Sequence, residues 1–355
     1  MTKPAVEQDQ IQPLGSPGPE PILIEVRRGD IVESRHAVDA AVVDTAGTVV
    51  AAWGEIGRPV YPRSATKPIQ ALPLVESGAA DAFGLEHREI ALACASHAGE
   101  QVHVETVLAW LKRLGLAEDD LECGAHWPRD PVIFEDLIRA DTVLGPARNN
   151  CSGKHTGMLS HAVHLGDPTA DYIGPEHPVQ VRVAAALGAL TDVDLAGAPR
   201  GVDGCSIPTY PIPLRNLALA MARFASPGDL APERAMACRR IAGAMWAEPY
   251  MVAGRARCCT AILEACRERV VAKTGAEGVY MAGLSERGLG IALKARDGAG
   301  RAAEVAMVAL LDETESLDEA ARAALAPFGQ PEVRSVRGAT VGGLGTAAFR
   351  PWAAF

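Results

Sequence analysis

The chain has 355 residues, with 44 acidic and 34 basic side chains (net charge −10) and 48% apolar residues. That is ordinary globular usage, which excludes a largely disordered chain, and the acidic excess argues against nucleic acid or an anionic membrane as main partner. No apolar run approaches the ~18 residues of a membrane span, and the opening MTKPAVEQDQIQPLGSPGPEP lacks the apolar centre of a signal peptide.

The expected location is therefore cytoplasmic, with the eight cysteines as reduced thiols. Buried apolar packing accounts for most of them. Residues 1–20, rich in Pro, Gly, Gln and Glu, read as a disordered arm. Residues 21–355 read as one domain, because no repeat or low-complexity linker cuts them. A chain of this size buries enough surface to fold without a disulfide or metal.

From Ile22 to Trp53 the pattern is strand-like, with a hairpin at Asp44-Thr45-Ala46-Gly47. Helical patterns dominate from Arg63 to Cys266. In QVHVETVLAWLKRLG, Val104, Val107, Leu108, Leu111 and Leu114 recur at helical spacing and predict one buried face. Strands return in ERVVAKTG, AEGVYMAGL and GLGIALKARDG, and a last helix is expected over Leu317 to Leu325. Strands at both ends and helices between them predict an α/β (α+β) fold. Its mostly antiparallel sheet is built from both termini and covered by the central helices.

Ser64 and Lys67, in Arg63-Ser64-Ala65-Thr66-Lys67-Pro68, are spaced i, i+3 and would share one face of a helix start. A serine hydroxyl attacks only when a base takes its proton, and lysine is such a base only when its pKa is depressed. Pro68 belongs in a first helical turn, which sets the helix start at or just before Ser64. Lys273-Thr274-Gly275 ends an apolar run on an expected sheet edge. Ser-x-x-Lys with a late Lys-Thr-Gly is the pairing of serine β-lactamases and penicillin-binding proteins, although their Ser-Asp-Asn element is absent. There the lysine supplies charge and the glycine lets a ligand approach the backbone.

Ser96-His97-Ala98-Gly99-Glu100 ends the helical pattern EIALACAS. Ser96 reads either as a second hydroxyl of a site or as part of a helix-terminal cluster with Gly99 as C-cap. Asn149-Asn150-Cys151-Ser152-Gly153-Lys154-His155 precedes an apolar helix, but Arg148 stands where a phosphate loop needs its first Gly. Gly201-Val202-Asp203-Gly204-Cys205-Ser206 is another Gly-punctuated loop. Cys151 and Cys205 suit a soft ion such as zinc, yet two thiolates leave a zinc site one or two ligands short.

These segments together resemble the rhizobial-type (inducible, class 3) L-asparaginase family from about Ile22 to the C-terminus. The resemblance implies a serine β-lactamase/glutaminase-like fold and a homodimer that hydrolyses L-asparagine to L-aspartate and ammonia. It implies two Ser–Lys pairs, Ser64 with Lys67 and Ser96 with Lys273. It also implies zinc held by Cys151, Lys154 and Cys205 near the substrate, with Arg63, His155 and Asp203 around the substrate. The mechanism would be acyl transfer, with Ser64 the preferred attacker because Lys67 is beside it in sequence. A glutaminase, another serine amidohydrolase of the same fold, or a non-catalytic amino-acid or zinc-binding regulator are the competing functions. Cys258 and Cys259, upstream of Lys273, receive no role.

Overall fold

A computed structural model describes residues 20–128 and 130–347. Apart from Glu20, the arm expected over residues 1–20 lies outside them.

One sheet organises the chain. Its strands are β1 (Ile22–Arg28), β2 (Ile31–Asp44), β3 (Val49–Trp53), β4 (Val270–Thr274), β5 (Val279–Leu284), β6 (Leu289–Ala295), β7 (Glu332–Arg334) and β8 (Thr340–Thr346). The order is β7-β8-β1-β2-β6-β5-β4, with β3 also on β2, and every pairing is antiparallel. The sheet is thus assembled from both ends of the chain, as expected.

The hairpin at Asp44 forms for local reasons. The Asp44 carboxylate accepts from the N–H groups of Ala46 and Thr48, and Gly47 takes a φ of 93°. Among the described residues β4 pairs only with β5, so Lys273 stands on an edge strand. β5 is buried along its whole length because helices cover both sheet faces. One core lies between the sheet and the central helices, with Ile69, Leu92, Trp110, Leu159, Met221 and Met281 in it. The second lies on the opposite face, where Ile24 and Leu293 meet Ile262, Ala306 and Leu310.

The helix predicted in QVHVETVLAWLKRLG runs from Gln101 to Arg113. Its buried stripe includes Trp110 and leaves Leu108 39% exposed at its flank. The last helix spans Glu319–Gly329, later than expected, because the Asp318 side chain caps the Ala321 N–H. The Gly300–Glu313 helix, which covers the second core, was not expected. No helix of the described residues is long and apolar enough to cross a membrane.

Candidate active site

Arg63–Thr66 is a 3₁₀ turn, and an α-turn follows only at Lys67–Gln70, with Pro68 in its first turn. Arg63 takes a φ of 52°, an unfavourable region for a residue with a Cβ. This geometry differs from the helix start predicted at Ser64. Lys67 is turned away into the core, 1% exposed, and its Nζ donates to Ser96 Oγ (3.0 Å), Cys151 Sγ (3.1 Å) and the Ala95 carbonyl. The Lys67 N–H donates to the Ser64 carbonyl, but no side-chain hydrogen bond joins the two residues among those described.

Ser96 receives a second lysine. Lys273 Nζ donates to Ser96 Oγ at 2.9 Å and to its neighbour's carbonyl, Thr274 O, at 2.8 Å. Lys273 is fully buried. Burial pushes its pKa down, Cys259 opposes the shift, and the positive charges of Lys67 and Arg257 reinforce it, leaving it at about 7. The helix before Ser96 already ends at Ala93, so Gly99 is not its C-cap despite a φ of 70°. The Ser96 N–H is committed to Val252 O (2.9 Å).

The glycine of Lys-Thr-Gly admits the protein's own backbone. A Cβ at Gly275 would stand 2.6 Å from Pro62 O and 3.2 Å from Ala65 N, so the edge strand packs directly on the turn carrying Ser64. Behind it, Cys259 Sγ accepts from the Thr274 N–H and the Tyr280 hydroxyl, both at 3.2 Å. Cys259 thereby satisfies one outward-facing N–H of the edge strand. Ser64, Ser96, Thr274 and Gly275 line a cleft of about 230 Å³, together with His126, Asn150, Asp130, Arg255 and Arg257. That is smaller than the ~300–1,000 Å³ pockets of drug-sized ligands, and suits a small metabolite.

Cys151, Lys154 and Cys205 lie together on the other side of Lys67. Cys151 is the N-cap residue of the Ser152–Leu165 helix and Lys154 is in its first turn. That helix packs tightly on the His87–Ala93 helix because Gly153 has no side chain: a Cβ there would meet Leu92 O at 2.3 Å. Cys205 sits in the loop between the short strands Gly201–Val202 and Pro208–Thr209, and Lys154 Nζ reaches its Sγ at 2.9 Å. A hydrogen bond from Cys205 and the neighbouring Lys67 and Lys154 hold the Cys151 thiol well below the usual range, against burial. Donating that bond, together with burial, drives the Cys205 thiol up.

The three residues expected around a substrate satisfy one another or the fold. Burial works against the Asp203 carboxylate, but the Arg63 guanidinium, 2.8 Å away, holds its pKa down. His155 is fully buried and its Nδ1 meets Tyr172 Oη at 2.6 Å. Its Nε2 has no partner among the described residues. No group of three or more His, Cys, Asp or Glu with metal-holding geometry occurs among them. The donor set at Cys151 and Cys205 reaches three only with the Lys154 amine. Two thiols from separate segments and one amine nevertheless form a donor set suited to a soft ion.

Sequence reasoning missed His97 and the Arg255–Arg257 turn. His97 Nδ1 accepts the Gly99 N–H, so Nε2 is the donor to Ser152 Oγ at 2.9 Å. Its ring stacks on His103 with centroids 4.8 Å apart. Its position next to Ser96 was the available signal. Arg255-Ala256-Arg257 has no motif, and only the folded chain brings it to the serines.

No curated protein matches this chain. The sequence model of L-asparaginase II matches residues 24–346, a span that contains both lysines, both serines and the thiol pair. The chain belongs to the L-asparaginase II family.

Proposed function

We propose that the protein is an amidohydrolase that converts L-asparagine to L-aspartate and ammonia by acyl transfer. The observation that carries this reading is the buried Lys67–Ser96–Lys273 array in a cleft that also holds Ser64. Ser64 attacks the side-chain carbonyl of asparagine. Its proton passes through Ser96 to Lys273, which is neutral above about pH 7. The same route returns the proton to the departing nitrogen, and water then cleaves the acyl-enzyme.

Ser64 is preferred over Ser96 as attacker because of the backbone. The N–H groups of Ser64 and Ala276 have no hydrogen-bond partner among the described residues, and both residues line the cleft. They are suited to receive the oxyanion. The N–H of Ser96 is already occupied by Val252 O.

Zinc held by Cys151, Lys154 and Cys205 is part of the proposal, and when bound it would supply positive charge that orients the substrate. The fold is read as serine β-lactamase-like, and residues 21–355 as one domain of a cytoplasmic homodimer. Support for that fold comes from the Ser-x-x-Lys turn packed on an edge-strand Lys-Thr-Gly.

Ammonia release from L-asparagine, with L-glutamine as comparison, tests the function. Ser64→Ala and Ser96→Ala are each expected to remove nearly all turnover, because residues acting as one unit are non-additive. Acid-quenched enzyme should carry the acyl group on the peptide containing Ser64. An acyl group on the Ser96 peptide would reverse the two roles.

A further inference from the structure

We infer that Arg257 forms the subsite for the substrate's α-carboxylate, restricting the reaction to side-chain amides of amino acids whose α-carboxyl is free. The inference rests on the amidohydrolase reading and adds the residue that recognises the α-carboxylate of the substrate.

The cations in and around the cleft have different commitments. Lys67 and Lys273 both donate to Ser96. Lys154 is engaged with Cys205, and Arg63 is paired with Asp203 at 2.8 Å. Arg255 lines the cleft but is paired with Asp130 at 3.4 Å. Arg257 lines the same cleft, half-buried, and has no hydrogen-bond or ion-pair partner for its guanidinium among the described residues. Glu304 is near enough to feel its charge but not within ion-pair distance, and burial pushes the Glu304 carboxyl toward its neutral form. A half-buried guanidinium without a carboxylate, in a cleft proposed to bind an amino acid, has the charge and shape for a bidentate carboxylate contact.

The backbone holds this arginine in place. Ala256, immediately before it, takes a φ of 53°, a conformation costly for alanine. Arg257 is itself the N-cap residue of the Cys258–Ala265 helix, and its carbonyl accepts the Ala261 N–H at 3.0 Å. The side chain therefore leaves a fixed main chain, two residues before Cys259, whose Sγ accepts the Thr274 N–H.

The test compares L-asparagine with its α-amide, L-asparaginamide, in wild type, Arg257→Gln and Arg257→Lys. Wild type should prefer asparagine strongly in kcat/KM. Arg257→Gln should raise the KM for asparagine by about 10–100-fold, the effect of one charge-assisted hydrogen-bonding group, with a smaller change in kcat. Its preference over the α-amide should collapse to within a few-fold, and Arg257→Lys should restore part of it. A glutamine variant that keeps the wild-type preference overturns the inference. Calorimetric titration with L-aspartate and its α-methyl ester separates this question from catalysis. Wild type should bind the free acid more tightly, and Arg257→Gln should bind the two alike. Absent ammonia release with intact, Arg257-dependent aspartate binding would overturn the reaction and keep the subsite. If Arg257→Gln does not fold, the lysine variant decides, because its carboxylate preference must lie below that of wild type.

Discussion

Lys273 is a buried lysine whose only side-chain hydrogen-bond partner among the described residues is a serine hydroxyl. With its pKa down at about 7, it is protonated in acid and cannot then accept a proton. Activity should therefore rise as pH climbs through about 7 and level off above it. Arginine keeps the charge but does not release its proton at these pH values. Lys273→Arg should lower kcat/KM by roughly 10²–10⁴-fold, the range of general-base catalysis, and any residual activity should lack the limb near pH 7. A pH–rate profile of both proteins checks this, and an unchanged limb in the variant would remove Lys273 from the proton path. At this scale much of the candidate site was legible. Ser64, Lys67, Ser96 and Lys273 do come together, but the pairing of Ser64 with Lys67 rested on helical spacing. The Lys67 amine is instead taken up in the core by Ser96, Cys151 and the Ala95 carbonyl, partners far away in sequence. Arg257 was not legible, because a cleft-lining arginine and a surface arginine look alike in sequence.

Among the elements, the contact between edge strand and serine turn matters most to the site. The strands of the Lys-Thr-Gly region were readable because buried β-branched runs and glycine turns mark them. Their contact with residues 62–65 was not, since only Gly275's lack of a Cβ records it. Gly275→Ala places a carbon 2.6 Å from Pro62 O, which backbone movement must relieve. The expected cost is ~1–3 kcal/mol, typical of overpacking. Because the displaced atoms flank Ser64, kcat should fall by more than the stability loss explains. Urea unfolding of the variant beside its kcat measures both, and a stable variant with unchanged kcat would separate the strand contact from Ser64. The strand Thr340–Thr346 went unread for a related reason. TVGGLGT breaks up its β-branched Thr and Val with three glycines, and its pairing with β1 is visible only once the termini meet.

Across the whole molecule, stability and the proposed metal binding are expected to be separable. Two cores on opposite faces of one sheet hold the chain together, and Cys151 and Cys205 contribute to the first as two small members among many. The proposed zinc is therefore expected to serve the site and not the fold. Protein purified without chelator should carry about one zinc per chain, with water completing the four-coordination that Cys151, Lys154 and Cys205 begin. Cys205→Ser should lose the metal. The thiols and the amine must give up protons to bind, so affinity should fall as pH drops. Chelation should leave the thermal unfolding transition nearly in place while it weakens asparagine binding more than it slows turnover. Elemental analysis, a melting curve and steady-state kinetics before and after chelation measure the three effects. A metal-free wild type with full activity would return Cys151 and Cys205 to the role of buried thiols linking the Ser152–Leu165 helix to the Gly201–Thr209 segment. In that case the Lys154–Cys205 contact would be a structural hydrogen bond that orders the wall of the cleft.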